Sequence, residues 1–312
     1  MKKQTIFRHL TRITFIALSS TLFLSCSKLT DRLTDPGVSI ELAQFRKANY
    51  QNLHYKLHFN LPDSLNTQVT GTSCITVTLN QTEPLIIDFR ADSSQVHHVS
   101  LNDAPVLYTV GREHIIIPKS AVQKGENRIQ IDFTANDQSL NRREEFLYTL
   151  LVPDRARTLF PCFDQPDMKA PFTLSLEAPA TWEAIANGAL MQIDTLPSRR
   201  KQFSFKETEP IPTYLFSFVG GHFEKVTETH NGRSVSLYHR ETDPQKKAQC
   251  YDILAQVFHS LDWLETYTGI PYPFTKYDLI IIPGFQYGGM EHMGATLYAD
   301  RSMFLERNAT LS

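Results

Sequence analysis

The sequence feature that most constrains the fold is an alternation of apolar and polar side chains that begins after Tyr50. The apolar positions are Leu53, Tyr55, Leu57, Phe59 and Leu61, and the polar positions are Asn52, His54, Lys56, His58 and Asn60. A period of two places each set on one face of an extended chain, which predicts a half-buried β-strand. We expect His54 and His58, on the polar face, to be solvated.

Short apolar segments bounded by Asn, Asp, Gly or Pro continue this pattern. They are Thr72 to Leu79, Leu85 to Phe89, Val106 to Val110, His114 to Ile117, Arg128 to Phe133, Phe172 to Leu176, Trp182 to Ile185, Lys201 to Phe205 and Tyr214 to Val219. Many short strands separated by turn residues favour an antiparallel β structure. The pattern changes after Gly220-Gly221, so we predict a mainly β fold with a following α+β segment.

One long helix is predicted from Asp243 to Thr268. Asp243 before a proline is typical of an N-cap, and Gly269 suits the left-handed position that ends a helix. The apolar residues that recur every three or four positions are Tyr251, Leu254, Phe258, Leu261 and Leu264. Their spacing predicts one buried face. A strand from Tyr277 to Ile282 follows the helix.

The N-terminus has the pattern of an export signal. Four basic residues precede an apolar run from Ile13 to Leu24, which is shorter than the roughly 20 residues of a membrane-spanning helix. Cys26 directly after this run resembles the acylated cysteine of bacterial lipoproteins; a plain secretory signal is the alternative. Polar residues from Ser27 to about Gln44 then read as a tether. The protein is therefore expected in the cell envelope, lipid-anchored to a membrane and facing the periplasm or the cell surface.

Charge argues against nucleic-acid binding, and the cysteine spacing argues against a disulfide framework and a Cys-x-x-Cys metal site. The formal net charge is −2, and removal of a leader with four positive charges leaves about −6, which argues against nucleic-acid partners. The remaining cysteines, Cys74, Cys162 and Cys250, are widely spaced and form neither a disulfide framework nor a Cys-x-x-Cys metal signature. We expect them to be buried thiols.

The segment from Phe285 to Gly294 follows the apolar strand and carries the most distinctive chemistry. Gly288 and Gly289 lack Cβ atoms, so an extended peptide can approach their backbone and pair as an added strand. Glu291 would then meet the end of that peptide, where a fixed carboxylate selects a free α-ammonium group. On residue types alone, a Gly-Gly turn with a solvated Glu and a packed Met remains the alternative.

Three motifs together resemble one enzyme family. Gly288-Gly289-Met290-Glu291-His292 is similar to the Gly-x-Met-Glu-Asn exopeptidase motif of the aminopeptidase N-type zinc metallopeptidases, peptidase family M1. The run from Arg155 to Phe172 resembles that family's Ala-Arg…Phe-Pro-Cys-x-Asp-x-Pro…Lys-Ala-x-Phe pattern. Ile185-Ala186-Asn187-Gly188, and Pro212 to Phe216 with Gly220-Gly221, match later landmarks in order and spacing. The likeness covers roughly Tyr50 to Asp300.

The resemblance implies a saddle-like antiparallel β N-terminal domain and then the truncated start of a thermolysin-like catalytic domain. We therefore divide the chain into a signal peptide (1–25), a tether (26–45), the β domain (46–223) and the incomplete beginning of the catalytic domain (224–312). In the family, the glutamate matching Glu291 binds the substrate's N-terminal amine, and the backbone matching Gly288 to Met290 lines the peptide. The expected partners are peptides with a free N-terminus. The expected substrate-binding residues are Gly288, Gly289, Met290, Glu291 and His292.

The run from Arg155 to Phe172 is expected to be architectural, with Arg157 and Asp164 paired beneath a turn and Cys162 and Phe163 packed. The sequence departs from the family at two positions. His292 replaces the usual Asn and is expected to titrate near neutral pH. Val152 stands where relatives commonly place a Gln or Glu that helps to hold the amine, which puts affinity for a free N-terminus in doubt.

A zinc site is expected only in the full-length protein. This class uses His-Glu-x-x-His on a helix, but no His-Glu dipeptide occurs here, and the 11 histidines form no alternative site by spacing. The resemblance therefore implies Zn2+ ligands beyond Ser312, a truncated chain without catalytic residues, and no hydrolysis by this chain alone. We also expect the apolar surface of the incomplete catalytic sheet to be partly exposed.

Two functions remain open. The first is a lipid-anchored zinc aminopeptidase, with this chain as its scaffold and substrate-recognition part. The second is a non-catalytic peptide-binding or scaffold lipoprotein of the same fold. An in-frame His-Glu-x-x-His within roughly 50 codons after Ser312 would favour the enzyme, and a stop codon would favour the second.

Overall fold

The computed structural model describes residues 33–197 and 199–306. The predicted leader and Cys26 lie outside these ranges. The strands are β1 Tyr50–Asn60, β2 Thr70–Leu79, β3 Leu85–Asp88, β4 Val96–Leu101, β5 Ala104–Pro105, β6 Thr109–Gly111, β7 His114–Ile117, β8 Gly125–Thr134, β9 Leu140–Arg142, β10 Phe146–Thr149, β11 Phe172–Pro179, β12 Glu183–Ala186, β13 Leu190–Leu196, β14 Arg200–Phe205, β15 Phe218–Gly221, β16 Glu224–His230, β17 Arg233–His239, β18 Tyr277–Ile282, β19 Gly289–Met290 and β20 Ala295–Ala299. The α-helices are α1 Ile40–Asn49, α2 Pro244–Thr268 and α3 Asp300–Met303.

The largest sheet is built around β1, as the alternation predicted. Its strand order is β13-β14-β11-β1-β2-β8-β4-β5, and it is antiparallel except where β1 runs parallel to β11. Tyr55, Leu57 and Phe59 are fully buried in the core of the β domain. On the opposite face, His54 lies near Glu207 and His58 contacts Ser175, so these histidines are half-buried rather than solvated.

Two smaller sheets complete the β domain, and a five-stranded mixed sheet follows it. The small sheets have the orders β12-β15-β10-β9 and β3-β7-β6. The last sheet has the order β16-β17-β18-β20-β19, in which β17, β18 and β20 are parallel and the outer strands are antiparallel to their neighbours. The predicted fold class, mainly β with a following segment that contains both helices and strands, is confirmed.

Helix α2 begins and ends as its sequence signals predicted. The Asp243 side chain accepts a hydrogen bond from the Gln245 N–H, and Gly269 has φ +66° at the C-terminal end. The buried residues of the helix are Cys250, Leu254, Phe258 and Leu261. The expected burial of Tyr251 and Leu264 is wrong: they are 58% and 48% exposed, because the buried face is narrower than the apolar stripe.

The mixed sheet is covered on both faces. Leu279 and Ile281 pack with Leu254 and Phe258 of α2, whereas Ile280 and Ile282 pack on the other face against a cluster that contains residues of β10, β12 and β15. The expectation that this sheet would expose its apolar surface is therefore wrong for the part of the chain described. Residues of the β domain cover the face of the mixed sheet that is opposite α2.

Several boundaries differ from the sequence-based expectations. α1 begins at Ile40 and buries Leu42, so the predicted tether is wrong over its last residues. The segments from Val106 to Val110 and from Tyr214 to Val219 are only partly extended.

Cys162 and Cys250 are buried thiols, as predicted, but Cys74 is half-exposed. Within residues 33–197 and 199–306, none of the helices combines the length and the hydropathy that crossing a bilayer requires.

A buried ion pair between Arg46 and Asp88, which the sequence analysis did not predict, links α1 to the β domain. Arg46 Nη1 and Nη2 donate to the two oxygens of Asp88 over 2.8 and 2.5 Å, and both side chains are fully buried. The Asp164 N–H donates to the same carboxylate, and His114 Nδ1 lies 3.0 Å from it. Burial alone would raise the pKa of Asp88, but the attraction of Arg46 and the contacts with His114 lower it below its ordinary value.

We expect Arg46→Met to lower the free energy of unfolding of the β domain by about 3–5 kcal/mol, since it leaves Asp88 buried without its cation. Guanidinium denaturation measures the loss. Arg128→Met is the matched control, because Arg128 pairs with Asp103 at the exposed surface and its loss should cost about 1 kcal/mol or less. Equal losses in the two variants would contradict this account.

Candidate peptide-binding site

The candidate site lies at the free edge of the mixed sheet. After β18, the chain turns through Pro283 and Gly284 and returns as β19, in which Gly289 and Met290 pair with Tyr298 and Leu297 of β20. Among the described strands, none pairs with the other side of β19. An edge strand of this kind offers unpaired backbone groups to an extended chain. The order of elements thus places the predicted peptide-binding backbone at a sheet edge.

The two glycines of this edge differ in what surrounds them. Both are exposed. A Cβ atom at Gly288 would meet no atom within 4 Å, so the space beside it is open. A Cβ atom at Gly289 would lie 3.2 Å from the Tyr298 ring, so that position is tight on the protein side. Packing within the described residues therefore explains the glycine at 289, whereas the glycine at 288 leaves room beside the strand.

Glu291 is exposed at the end of β19. Within residues 33–197 and 199–306, its carboxylate has no hydrogen-bond or ion-pair partner, and no arginine covers it. The preceding Met290 is buried in the apolar cluster beneath the sheet, with 6% of its surface exposed. The main chain is thus anchored directly before the carboxylate, and the charge itself is left available to a ligand.

His292 is placed in the interior, next to the exposed Glu291. Its side chain is fully buried, and neither ring nitrogen has a hydrogen-bond partner among the described residues. Burial lowers its pKa from 6.5 to about 3. The expectation that this ring titrates near neutral pH is therefore wrong, because a charged imidazole would lose its solvation there. Any contribution of His292 to peptide binding would come from its backbone.

The loop after Glu291 is held through its backbone carbonyl groups. The oxygens of Met290 and His292 accept hydrogen bonds from the N–H groups of His292 and Ala295. The oxygen of Gly294 accepts one from Lys276 Nζ over 2.7 Å. Hydrogen bonds that need no particular side chain on the loop therefore set its shape.

Lys276 is a contributor that the sequence analysis missed. Its ammonium group donates to Asp278 over 2.8 Å and is nearly buried. Burial lowers its pKa, and the attraction of Asp278 opposes this shift. A single lysine before an apolar strand carries no sequence signal of such a role, since charged residues commonly flank strands at the surface.

The resemblance also singled out Val152 and the run from Arg155 to Phe172. Val152 is half-buried and packs against the apolar cluster that contains Met290. Arg157 pairs with Asp164, which accepts from the Arg157 N–H over 3.1 Å and from Thr213 over 2.6 Å. Cys162 and Phe163 are fully buried. The architectural pairing and packing expected for this run are confirmed.

The described residues contain no group of three or more His, Cys, Asp or Glu side chains that could hold a metal ion.

A cavity of about 30 Å³ lies beside the loop, between the β domain and the mixed sheet. It is lined in part by Asn187, Lys276, Met293 and Gly294. Of the predicted site residues, the structure thus exposes the Gly288-Gly289 backbone and Glu291 together and buries the ring of His292.

We expect the stability of the protein to depend on pH through His292. Its folded pKa of about 3 lies below the ordinary 6.5, so the unfolded state binds the extra proton and stability falls as pH decreases between these values. Between pH 6 and 4 the wild type should lose about 2–3 kcal/mol more than His292→Asn, which cannot titrate.

Denaturation at a series of pH values measures this difference. The exposed His98→Asn controls for the loss of an imidazole as such, and it should keep the wild-type slope. Parallel slopes for wild type and His292→Asn would show that the buried ring does not carry the effect.

Comparison with known proteins identifies the family that the chain matches. Residues 51–215 match the Peptidase M1 N-terminal domain, and residues 253–312 match the Peptidase family M1 domain. Human endoplasmic reticulum aminopeptidase 1 is 35% identical over 159 residues, which are 51% of this chain and 17% of that protein. Aminopeptidase M1-B of Oryza sativa subsp. japonica is 28% identical over 272 residues, 81% of this chain and 30% of that protein.

A probable aminopeptidase 1 of Sulfurisphaera tokodaii is 27% identical over 227 residues, 73% of this chain and 28% of that protein. The chain thus spans less than a third of the length of these curated relatives. Its β domain alone accounts for more than half of the chain in the family match. By this match and by its three motifs, the chain belongs to peptidase family M1, the aminopeptidase N type.

Proposed function

We propose that the full-length protein is a zinc-dependent aminopeptidase that removes N-terminal residues from peptides, and that this chain supplies its scaffold and substrate-recognition segment. The observation that carries the proposal is the position of Glu291, an exposed carboxylate without a partner among the described residues, at the end of an edge strand that is paired on one side only. The membership in family M1 and the aminopeptidase relatives support it.

The edge strand supplies the direction of binding. A peptide that pairs with the free side of β19 passes beside Gly288, where a side chain would otherwise occupy the open space. Its α-ammonium group then reaches Glu291 and donates charge-assisted hydrogen bonds to the carboxylate. A peptide with a blocked N-terminus lacks the charge, so the proposed site selects chain ends.

Zinc is part of the proposal for the full-length protein only. The described residues do not form a zinc site, so we assign no catalytic step to them. We place the zinc ligands in polypeptide beyond Ser312. In zinc peptidases the metal supplies the activated water and polarises the carbonyl group. The residues of this chain bind and orient the substrate before that step.

We expect Glu291→Ala to lower kcat/KM for an aminoacyl chromogenic substrate by about 10- to 100-fold, because charge-assisted hydrogen bonds to the amine are lost. The measurement uses the full-length, zinc-loaded protein. Glu126→Ala is the matched control, since Glu126 is also an exposed carboxylate, on β8 of the large sheet. Unchanged turnover in Glu291→Ala would remove the assignment of the amine anchor.

The same experiment separates the two functions that the sequence left open. A full-length protein that binds peptides with a free N-terminus, loses this binding on Glu291→Ala and shows no zinc-dependent turnover would be a peptide-binding module. Turnover that zinc chelation abolishes and zinc restores supports the peptidase.

We further propose that Cys26 is acylated and anchors the exported protein to a membrane facing the periplasm or the cell surface. The support is the short apolar run that precedes this cysteine. We expect Cys26→Ser to move the protein from the membrane fraction to the soluble fraction and to abolish incorporation of labelled fatty acid. Cys74→Ser is the control and should leave both unchanged. Membrane association that survives Cys26→Ser would contradict lipid anchoring.

A further inference from the structure

Asn187, at the end of β12, uses its side-chain amide to connect the β domain with the loop that carries Glu291. Its Nδ2 donates to the Leu215 oxygen and to the Met293 oxygen, both over 2.9 Å. Its Oδ1 accepts from the Ser217 N–H over 2.6 Å. Only 7% of the residue is exposed. Three hydrogen bonds thus fix the orientation of the amide, and one of them ends two residues after Glu291.

The contact between the two segments leaves no space for adjustment. Gly294 has φ +72°, a conformation that favours glycine, and a Cβ atom there would lie 2.5 Å from the Asn187 backbone oxygen. The Met293 side chain packs against the large core of the β domain. Met293 is therefore held to this domain by both its side chain and its carbonyl oxygen.

The mixed sheet holds the neighbouring carbonyl group. The Gly294 oxygen accepts from Lys276 Nζ over 2.7 Å and from the Asp278 N–H over 3.1 Å. Met293 is thus bound to the β domain and Gly294 to the mixed sheet. The junction between the two domains runs through these two consecutive peptide groups.

We infer that Asn187 is a positioning residue for amine recognition, which sets the place of Glu291 through the Met293 carbonyl. The inference rests on the proposed function of Glu291. Because that carboxylate has no side-chain partner in the described ranges, its position depends on the backbone on either side. Met290 in β19 fixes the chain before it, and Asn187 fixes the chain after it.

A double-mutant cycle in the full-length, zinc-loaded protein tests the inference. We expect Asn187→Ala to lower kcat/KM for an aminoacyl chromogenic substrate by about 5- to 10-fold, as the loss of one positioning hydrogen bond implies. In the Glu291→Ala background, the same substitution should change kcat/KM less than twofold, because its effect passes through the missing carboxylate. A purely structural role would give the same loss in both backgrounds.

Asn127→Ala is the matched control. Asn127 is fully buried in the β domain, donates to the oxygens of Gln123 and Gly125 and accepts from the Gln123 N–H. It should change thermal stability as Asn187→Ala does and leave kcat/KM unchanged. If Asn187→Ala does not fold, Asn187→Asp replaces it, since Asp keeps the acceptor for Ser217 and removes both donations.

The outcomes separate the two claims. Losses of kcat/KM that multiply in the double variant would overturn the positioning role while leaving Glu291 as the amine anchor. A Glu291→Ala variant with wild-type kcat/KM would overturn the proposed function itself.

Discussion

The burial of β18 on both faces is the constraint on which the rest of the site depends. Leu279 and Ile281 face α2, and Ile280 and Ile282 face the β domain, so the strand cannot shift by one residue without exchanging its two environments. The parallel β20 is paired directly with it. Both ends of the segment between β18 and β20 are therefore fixed. The edge strand β19 and Glu291 lie within this segment.

Glu291 and His292 show how adjacent residues of this loop receive opposite environments. One side chain is exposed and charged, and the other is buried, with a pKa lowered to about 3. A pattern of residue types does not reveal this difference between the two neighbouring side chains.

The sequence predicted the elements better than their partners. The alternation after Tyr50 and the caps of α2 determined where β1 and the helix lie, because periodicity and capping are local properties. The parallel pairing of β1 with β11 and the second cover of the mixed sheet depend on contacts between distant segments. Arg46 is a buried charge whose partner, Asp88, lies far away in the sequence, and residue type alone argued against its burial. The motif located the candidate site; the fold determined which of its side chains face outward.

In the proposed function, Glu291 recognises the amine without help from position 152, where the side chain is aliphatic. Val152 packs with the cluster under Met290 and offers neither charge nor hydrogen bond. An ammonium group placed there would rely on a single carboxylate, and one flexible carboxylate would pair weakly in water. Selection of a chain end then requires that the carboxylate be held in place before the peptide arrives, since an immobilised partner loses less entropy on binding. The loop is anchored on both sides, by the pairing of Met290 in the sheet and by the hydrogen bond from the Asn187 side chain to the Met293 oxygen, and this anchoring meets the requirement.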